Sequence, residues 1–255
     1  MTGAVRTIAA NSFREAVRDR ILYLLLAFAA IVIAVSRFVS MLTVGDEAKI
    51  VKDFGLSAIS VFGVLTAMFV GVSLVFKEIE RKTVYTLLAN PVRRWQFVAG
   101  KYLGLLLVLA MNVAAMAVVL ALALALLGES ALALWPAVVL TFVQLALVAA
   151  FAILFSSYTN PILAAVGTGA TYVVGHLSWS FDLLKARSTG ALARAACDVL
   201  HAILPNLDRL DVKAQVVHGA ALPSGYVAAG MLYGLAYAAA VVVVACIVFE
   251  RREFS

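Results

Sequence analysis

Two amides and one imidazole sit deep inside the apolar runs of this sequence: Asn112, Gln144 and His176. Of these only His176 carries a titratable side chain, so it alone could relay a proton or hold a substrate through a switchable charge. Asn112 and Gln144 could line a polar path, or they could bond neighbouring helices to one another. An ion-coupled carrier needs an intramembrane acid or helices broken to expose carbonyls. An intramembrane protease needs a nucleophile with its base, or paired aspartates. The apolar runs hold neither constellation. Cys197 and Cys246 are too few for a metal site, and their placement in an external segment and inside the last apolar run argues against a disulfide. The chain has no G-x-x-x-x-G-K-[ST] phosphate loop. No catalytic residue, metal or bound cofactor is therefore expected, and any energy must arrive from outside the membrane.

The densest chemistry lies instead in a charged island from Lys77 to Lys101, between the uncharged runs 54–76 and 102–128. Within it, Ile79, Val84, Leu87 and Leu88 could form one apolar face, with Glu78, Glu80, Arg81 and Lys82 around it. A short helix held in a partner's groove has this pattern. A solvated loop has it too.

The elements that position these residues follow from hydropathy. Hydrophobic residues make up 64% of the 255-residue chain and charged ones 13%, about half the charge of a soluble domain. Such a chain dissolves in lipid, and a helix crosses the hydrocarbon in roughly 20 residues. That length predicts six spans, at about 21–43, 54–76, 102–127, 134–157, 161–181 and 226–249, in one all-α integral membrane domain over residues 1–255. Asn160-Pro161 marks the turn between the fourth and fifth. The first apolar run follows a charged segment without a small-x-small site, so no cleaved leader is expected.

Twelve of the twenty Lys and Arg fall on the side of the two termini and eight on the other, while the acidic residues divide six and eight. The positive-inside rule places both termini and the island in the cytoplasm of a plasma (inner) membrane protein. The net charge of +6 is read as that bias, and no nucleic acid is expected. Residues 3–20 carry Val5, Ile8, Ala9, Phe13, Ala16 and Val17 at helical spacing, away from most of Arg6, Arg14 and Arg18. They predict a helix lying on the inner surface, arginines toward anionic headgroups of the membrane lipid. Residues 191–204, ended by Pro205, predict a second amphipathic helix on the outer side before the last span.

The run from Phe76 to Arg94 resembles the permease subunits of ABC-2 type transporters, an exporter superfamily that includes the nitrous-oxide-reductase maturation permeases. The family pattern there is roughly F-x-x-E-x-E-x-G-T-x-x-x-L-L-x-x-P-V-[ST]-R, followed by Gly-Lys at the opening of the third span. Glu80, Thr83, Leu87, Leu88, Pro91, Val92, Arg94, Gly100 and Lys101 match it, while Lys82 replaces the glycine and Arg93 the Ser or Thr. Pro205-Asn206-Leu207 before the last span and the basic tail at Arg251 and Arg252 agree.

The resemblance implies a half-transporter that works as a homodimer, or paired with a similar chain, for export. It implies a separate P-loop ATP-binding subunit that holds the ATP and magnesium. Residues 78–88 would be a cytoplasmic coupling helix between spans two and three, with Glu78, Glu80, Arg81, Thr83, Leu87, Leu88, Pro91 and Arg94 in the coupling contact. Two other readings remain open from the residues alone: a channel or ion-coupled carrier, and a membrane scaffold that recruits a cytoplasmic partner.

Overall fold

The computed structural model describes residues 2–40, 46–80, 93–178 and 205–251. Among them the chain is all helix, without strands. Helix α1 is Thr2–Val17, α2 Arg20–Ser40, α3 Glu47–Glu80 and α4 Arg94–Ala125. A 3-10 turn, Ala131–Leu134, leads into α5, Trp135–Ser156, and α6 is Pro161–His176. Asp208–Leu210 forms a second 3-10 turn, followed by the short α7, Lys213–Val217, and the final α8, Tyr226–Arg251.

Among the described residues, five helical segments are long and apolar enough to cross a membrane: Arg20–Ser40, Glu47–Lys77, Arg94–Ala125, Ala131–Ser156 and Tyr226–Arg251. The sequence predicts six. The difference is α6, whose 16 described residues rise only about 24 Å; residues 179–181 of that expected span lie outside the described ones. The turn before α6 falls where Asn-Pro placed it. Ser156, Ser157 and Thr159 hydroxyls donate back to the carbonyls of Ala152, Ile153 and Phe155, and the Asn160 Oδ1 accepts from Leu163 N at 2.9 Å to cap α6.

α5 is the axis of the bundle. Every residue from Val143 to Ile153 is buried, because α3, α4, α6 and α8 surround it. A helix apolar on all sides is stable only in such a place. α2 and α8 lie outside, with Phe28, Ile31, Leu232 and Val243 exposed. In hydrocarbon these side chains face lipid at no cost, since lipid tails are as apolar as their neighbours.

Two helices outrun the expected spans. α3 begins at Glu47 rather than near Phe54 and continues through Glu80, and α4 begins at Arg94 rather than Tyr102. Charge does not stop these helices because it is paired outside the hydrocarbon. Lys52 Nζ meets Glu129 Oε2 at 2.9 Å, and Lys49 Nζ meets Asp46 Oδ1 at 2.7 Å.

α1 is tied to the bundle by α4. Gly100 and Gly104, one turn apart, let the two backbones touch: a Cβ at Gly104 would stand 2.6 Å from Ser12 Cβ and 2.9 Å from the Ala9 carbonyl oxygen. This small-xxx-small spacing is a recognised helix-crossing signal. Ala9, Ser12 and Ala16 are buried in the contact, while Arg6, Arg14 and Arg18 are exposed, which agrees with the amphipathic reading of residues 3–20. The external helix expected at 191–204 lies outside the described residues. The chain that follows it folds back into the bundle, with Leu207, Leu210 and Val212 at most 1% exposed.

Gly104→Ala therefore drives a methyl into the Ala9 carbonyl, and we expect a loss of about 1–3 kcal/mol. Melting in detergent should show a clear fall in Tm, whereas Gly3→Ala, with nothing within 4 Å, should leave Tm unchanged or slightly raised.

Candidate functional site

One end of the bundle carries α1, the end of α3, the start of α4 and the end of α8. Ion pairs lock it. Lys77 Nζ on α3 donates to Asp19 Oδ2, at the bend between α1 and α2, at 2.9 Å. Lys101 on α4, only 1% exposed, has its Nζ 3.6 Å from Glu15 Oε2 of α1 and 5.7 Å from the Phe97 ring centroid. A lysine buried this deeply requires a nearby anion, so the Glu15 contact fixes where α1 crosses α4.

The first turn of α4 is gripped from the other side by α8. Arg94 Nη1 donates to the Glu250 carbonyl at 3.0 Å, and the rings of Phe97 and Phe249 stack at 5.5 Å. The Arg93 N–H donates to Gln96 Oε1 at 3.0 Å, capping the helix start.

These contacts redraw the charged island. Its first residues, Lys77 to Glu80, finish α3, and Arg94 to Lys101 form the first two turns of α4. Glu78 and Glu80 are thus on the spanning helix itself rather than on a separate short one. Arg81, Thr83, Leu87, Leu88 and Pro91 lie outside the described residues. Arg94 is placed in the helix-end clamp. The sequence reading missed Glu15, Asp19 and the Gly100–Gly104 crossing. The G-x-x-x-G spacing was visible; the ion pairs join residues 58 and 86 positions apart and carried no local signal.

Partial burial acts to raise the pKa of Asp19, but the Lys77 hydrogen bond, the Ile21 N–H and the Lys77 charge together outweigh it, holding the carboxyl below its ordinary value.

The deep polar residues form two separate contacts. Asn112 Nδ2 of α4 donates to Thr66 Oγ1 of α3 at 2.6 Å, leaving the buried Asn112 Oδ1 unpartnered. Gln144 of α5 and His176 of α6 meet at 3.0 Å, and His176 Nδ1 lies 3.0 Å from the Tyr172 carbonyl. An amide nitrogen can only donate, so His176 Nε2 accepts from Gln144 and its Nδ1–H donates to Tyr172. Asp211, itself 3.2 Å from Lys213, stands 3.9 Å from His176 Nε2. The returning chain sets this distance: Leu207 N donates to the Gly175 carbonyl at 3.1 Å, and a Cβ at Gly175 would stand 3.0 Å from the Pro205 carbonyl oxygen. Among the described residues, no group of three or more His, Cys, Asp or Glu could hold a metal ion.

A model of the family described as ABC-2 family transporter protein matches residues 6–254. The match stands at the level of the family and does not single out the nitrous-oxide-reductase maturation group. Among curated proteins, none matches the chain.

Two outcomes follow from the ion pairs. Glu15→Gln leaves the Lys101 ammonium short of its anion and should cost about 1–3 kcal/mol, a loss that the double variant Glu15→Gln with Lys101→Met recovers in part, read by Tm in detergent. Because folding depresses the Asp19 pKa, its contribution is present above the unfolded carboxyl value of about 3.9 and is lost as pH falls through the lower folded value. The stability difference between wild type and Asp19→Asn should therefore shrink as pH is lowered below about 4. A pH-independent difference would contradict the pairing.

Proposed function

The chain belongs to the ABC-2 family of transporter proteins, and from that premise we propose that it is the membrane-spanning half of an ATP-driven exporter, working as a pair of copies. Family membership makes it a multi-pass permease component and implies an ATP-binding partner in general. The finer reading is that this partner grips the connection between α3 and α4, that the terminus-bearing end faces the cytoplasm, and that the energy of ATP hydrolysis enters there.

One observation carries the reading: both helices flanking that connection are ion-paired to the N-terminal segment, α4 to α1 itself and α3 to the bend that follows it. Lys77 near the end of α3 holds Asp19, and Lys101 near the start of α4 holds Glu15. A load applied to the connection is therefore shared by α1, α3 and α4, and α8 joins them through Arg94 and Phe97. Close-packed helices joined in this way move as a body rather than bending singly. Among the described residues, the apolar middle of the bundle offers the Asn112 and Gln144 amides and the His176 imidazole, while the acids of the crossing segments, Glu47, Asp53 and Glu250, stand near their ends.

The test is purification of the tagged chain from native membranes in mild detergent, with mass spectrometry of its companions. A stoichiometric P-loop ATPase is expected. Reversing Glu78 and Glu80 to lysine should release it while the permease keeps its size-exclusion profile. If no ATPase is recovered even after cross-linking, the proposal fails.

A further inference from the structure

Two open cavities meet on the outer side of α1. The first, about 560 Å³, is basic on a largely apolar wall: Arg6, Arg14, Thr7 and Asn11 line it together with Ile8, Ala10, Ser12 and Phe97. The second, about 470 Å³, is apolar, with Leu103, Leu106, Leu107 and Ala110 of α4 and Phe142 of α5 on its walls. Arg6 and Ala10 border both, so the basic chamber and the apolar groove lie side by side across one turn of α1. We propose that the pair is one binding site for an anionic phospholipid, with the phosphate at Arg6 and Arg14 and an acyl chain along α4.

Three features select this occupant. The charge is uncompensated: Arg6 and Arg14 pair with no described residue, and no acid lines either cavity. Basic side chains at a membrane surface attract anionic headgroups by about 1 kcal/mol each. The Ser12 hydroxyl is fully buried and lacks a hydrogen-bond partner, yet Ser12 lines the basic chamber. A buried hydroxyl left unpaired is costly; Ser12 is sealed against Gly104, so a lipid oxygen or a water would satisfy it only after a small movement of α1. The groove runs the right way, since Leu103 to Ala110 covers about 10 Å along α4, leading from the arginines toward the middle of the bundle.

A lipid seated there would wedge between α1 and the faces of α4 and α5 beside it. It would make the α1–α4 crossing, and so the Glu15–Lys101 pair, sensitive to the anionic lipid content of the membrane. This inference needs only the membrane setting, and it stands whether or not an ATPase grips the α3–α4 connection.

Native mass spectrometry tests it on the full chain reconstituted in vesicles of equal phosphatidylglycerol and phosphatidylcholine. At least one phosphatidylglycerol per chain should survive delipidating detergent in preference to phosphatidylcholine. Arg6→Gln with Arg14→Gln should lower that retention by roughly 25-fold, from about fivefold for each charge. Ala110→Trp, which fills the groove from an exposed position, should lower it while both arginines remain, and matched thermal melts guard against misfolding. Equal retention of the two lipids, or retention unchanged in the arginine variant, overturns the proposal. Competition by millimolar glycerol 3-phosphate would make this a free-phosphate site instead. If the arginine variant loses the ATPase and keeps its lipid, the basic chamber belongs to a protein partner. If Ala110→Trp splits an oligomer and leaves lipid retention unchanged, the groove is covered by a second copy. Either result also overturns the lipid assignment.

Discussion

Where α1 crosses α4, α4 presents no side chain at the two points of closest approach. Gly100 and Gly104 leave room for Ile8, Ala9 and Ser12 to lie directly on the helix, and that contact sets the geometry of the whole terminus-bearing end. It brings Glu15 within reach of a lysine that is otherwise sealed from water. It sets the bend at which Asp19 meets Lys77. The two cavities beside α1 exist because α1 lies close along α4 instead of standing away from it. A helix that would be marginal alone in water is thus held by backbone proximity and by two charges it could not otherwise place.

The interior follows a different rule. Inside hydrocarbon there is no water to satisfy a polar atom, so each polar side chain must find its partner on another helix or on its own preceding turn. Thr66, Ser156, Ser157, Thr168 and Thr171 bond back to carbonyls within their own helices. Asn112 and Gln144 reach across to α3 and α6, and the Tyr102 hydroxyl donates to the Ala146 carbonyl of α5 at 3.1 Å. The bundle therefore holds its helices in register with few polar groups.

The two ends divide the remaining charge. At the terminus-bearing end, ion pairs join helices to one another and to α1. At the opposite end, Lys52 and Glu129 tie the start of α3 to the loop before α5, and the returning chain tucks Leu207, Leu210 and Val212 beneath itself, with the Tyr226 hydroxyl donating to the Arg209 carbonyl at 3.0 Å. His176 sits where that returning chain meets α6, which is how a histidine of the apolar run comes to face Asp211.

Much of the architecture was legible in the residues. Hydropathy alone determined an all-helical membrane chain, because any run of some 20 apolar residues has no stable alternative to burial in lipid. The Asn160-Pro161 turn and the amphipathic period of residues 3–20 were equally local, and the motif from Phe76 to Arg94 carried the family. The count of crossings and the ends of α3 and α4 were not legible, since a hydropathy window cannot see that Lys52 or Lys101 is neutralised by an acid dozens of residues away. Nor could the sequence decide which face of α1 is buried against α4 and which of the deep polar residues meet. Those were left to the tertiary structure, because a side chain's environment in a bundle is set by the helix opposite it, and that neighbour is chosen by packing rather than by position in the chain.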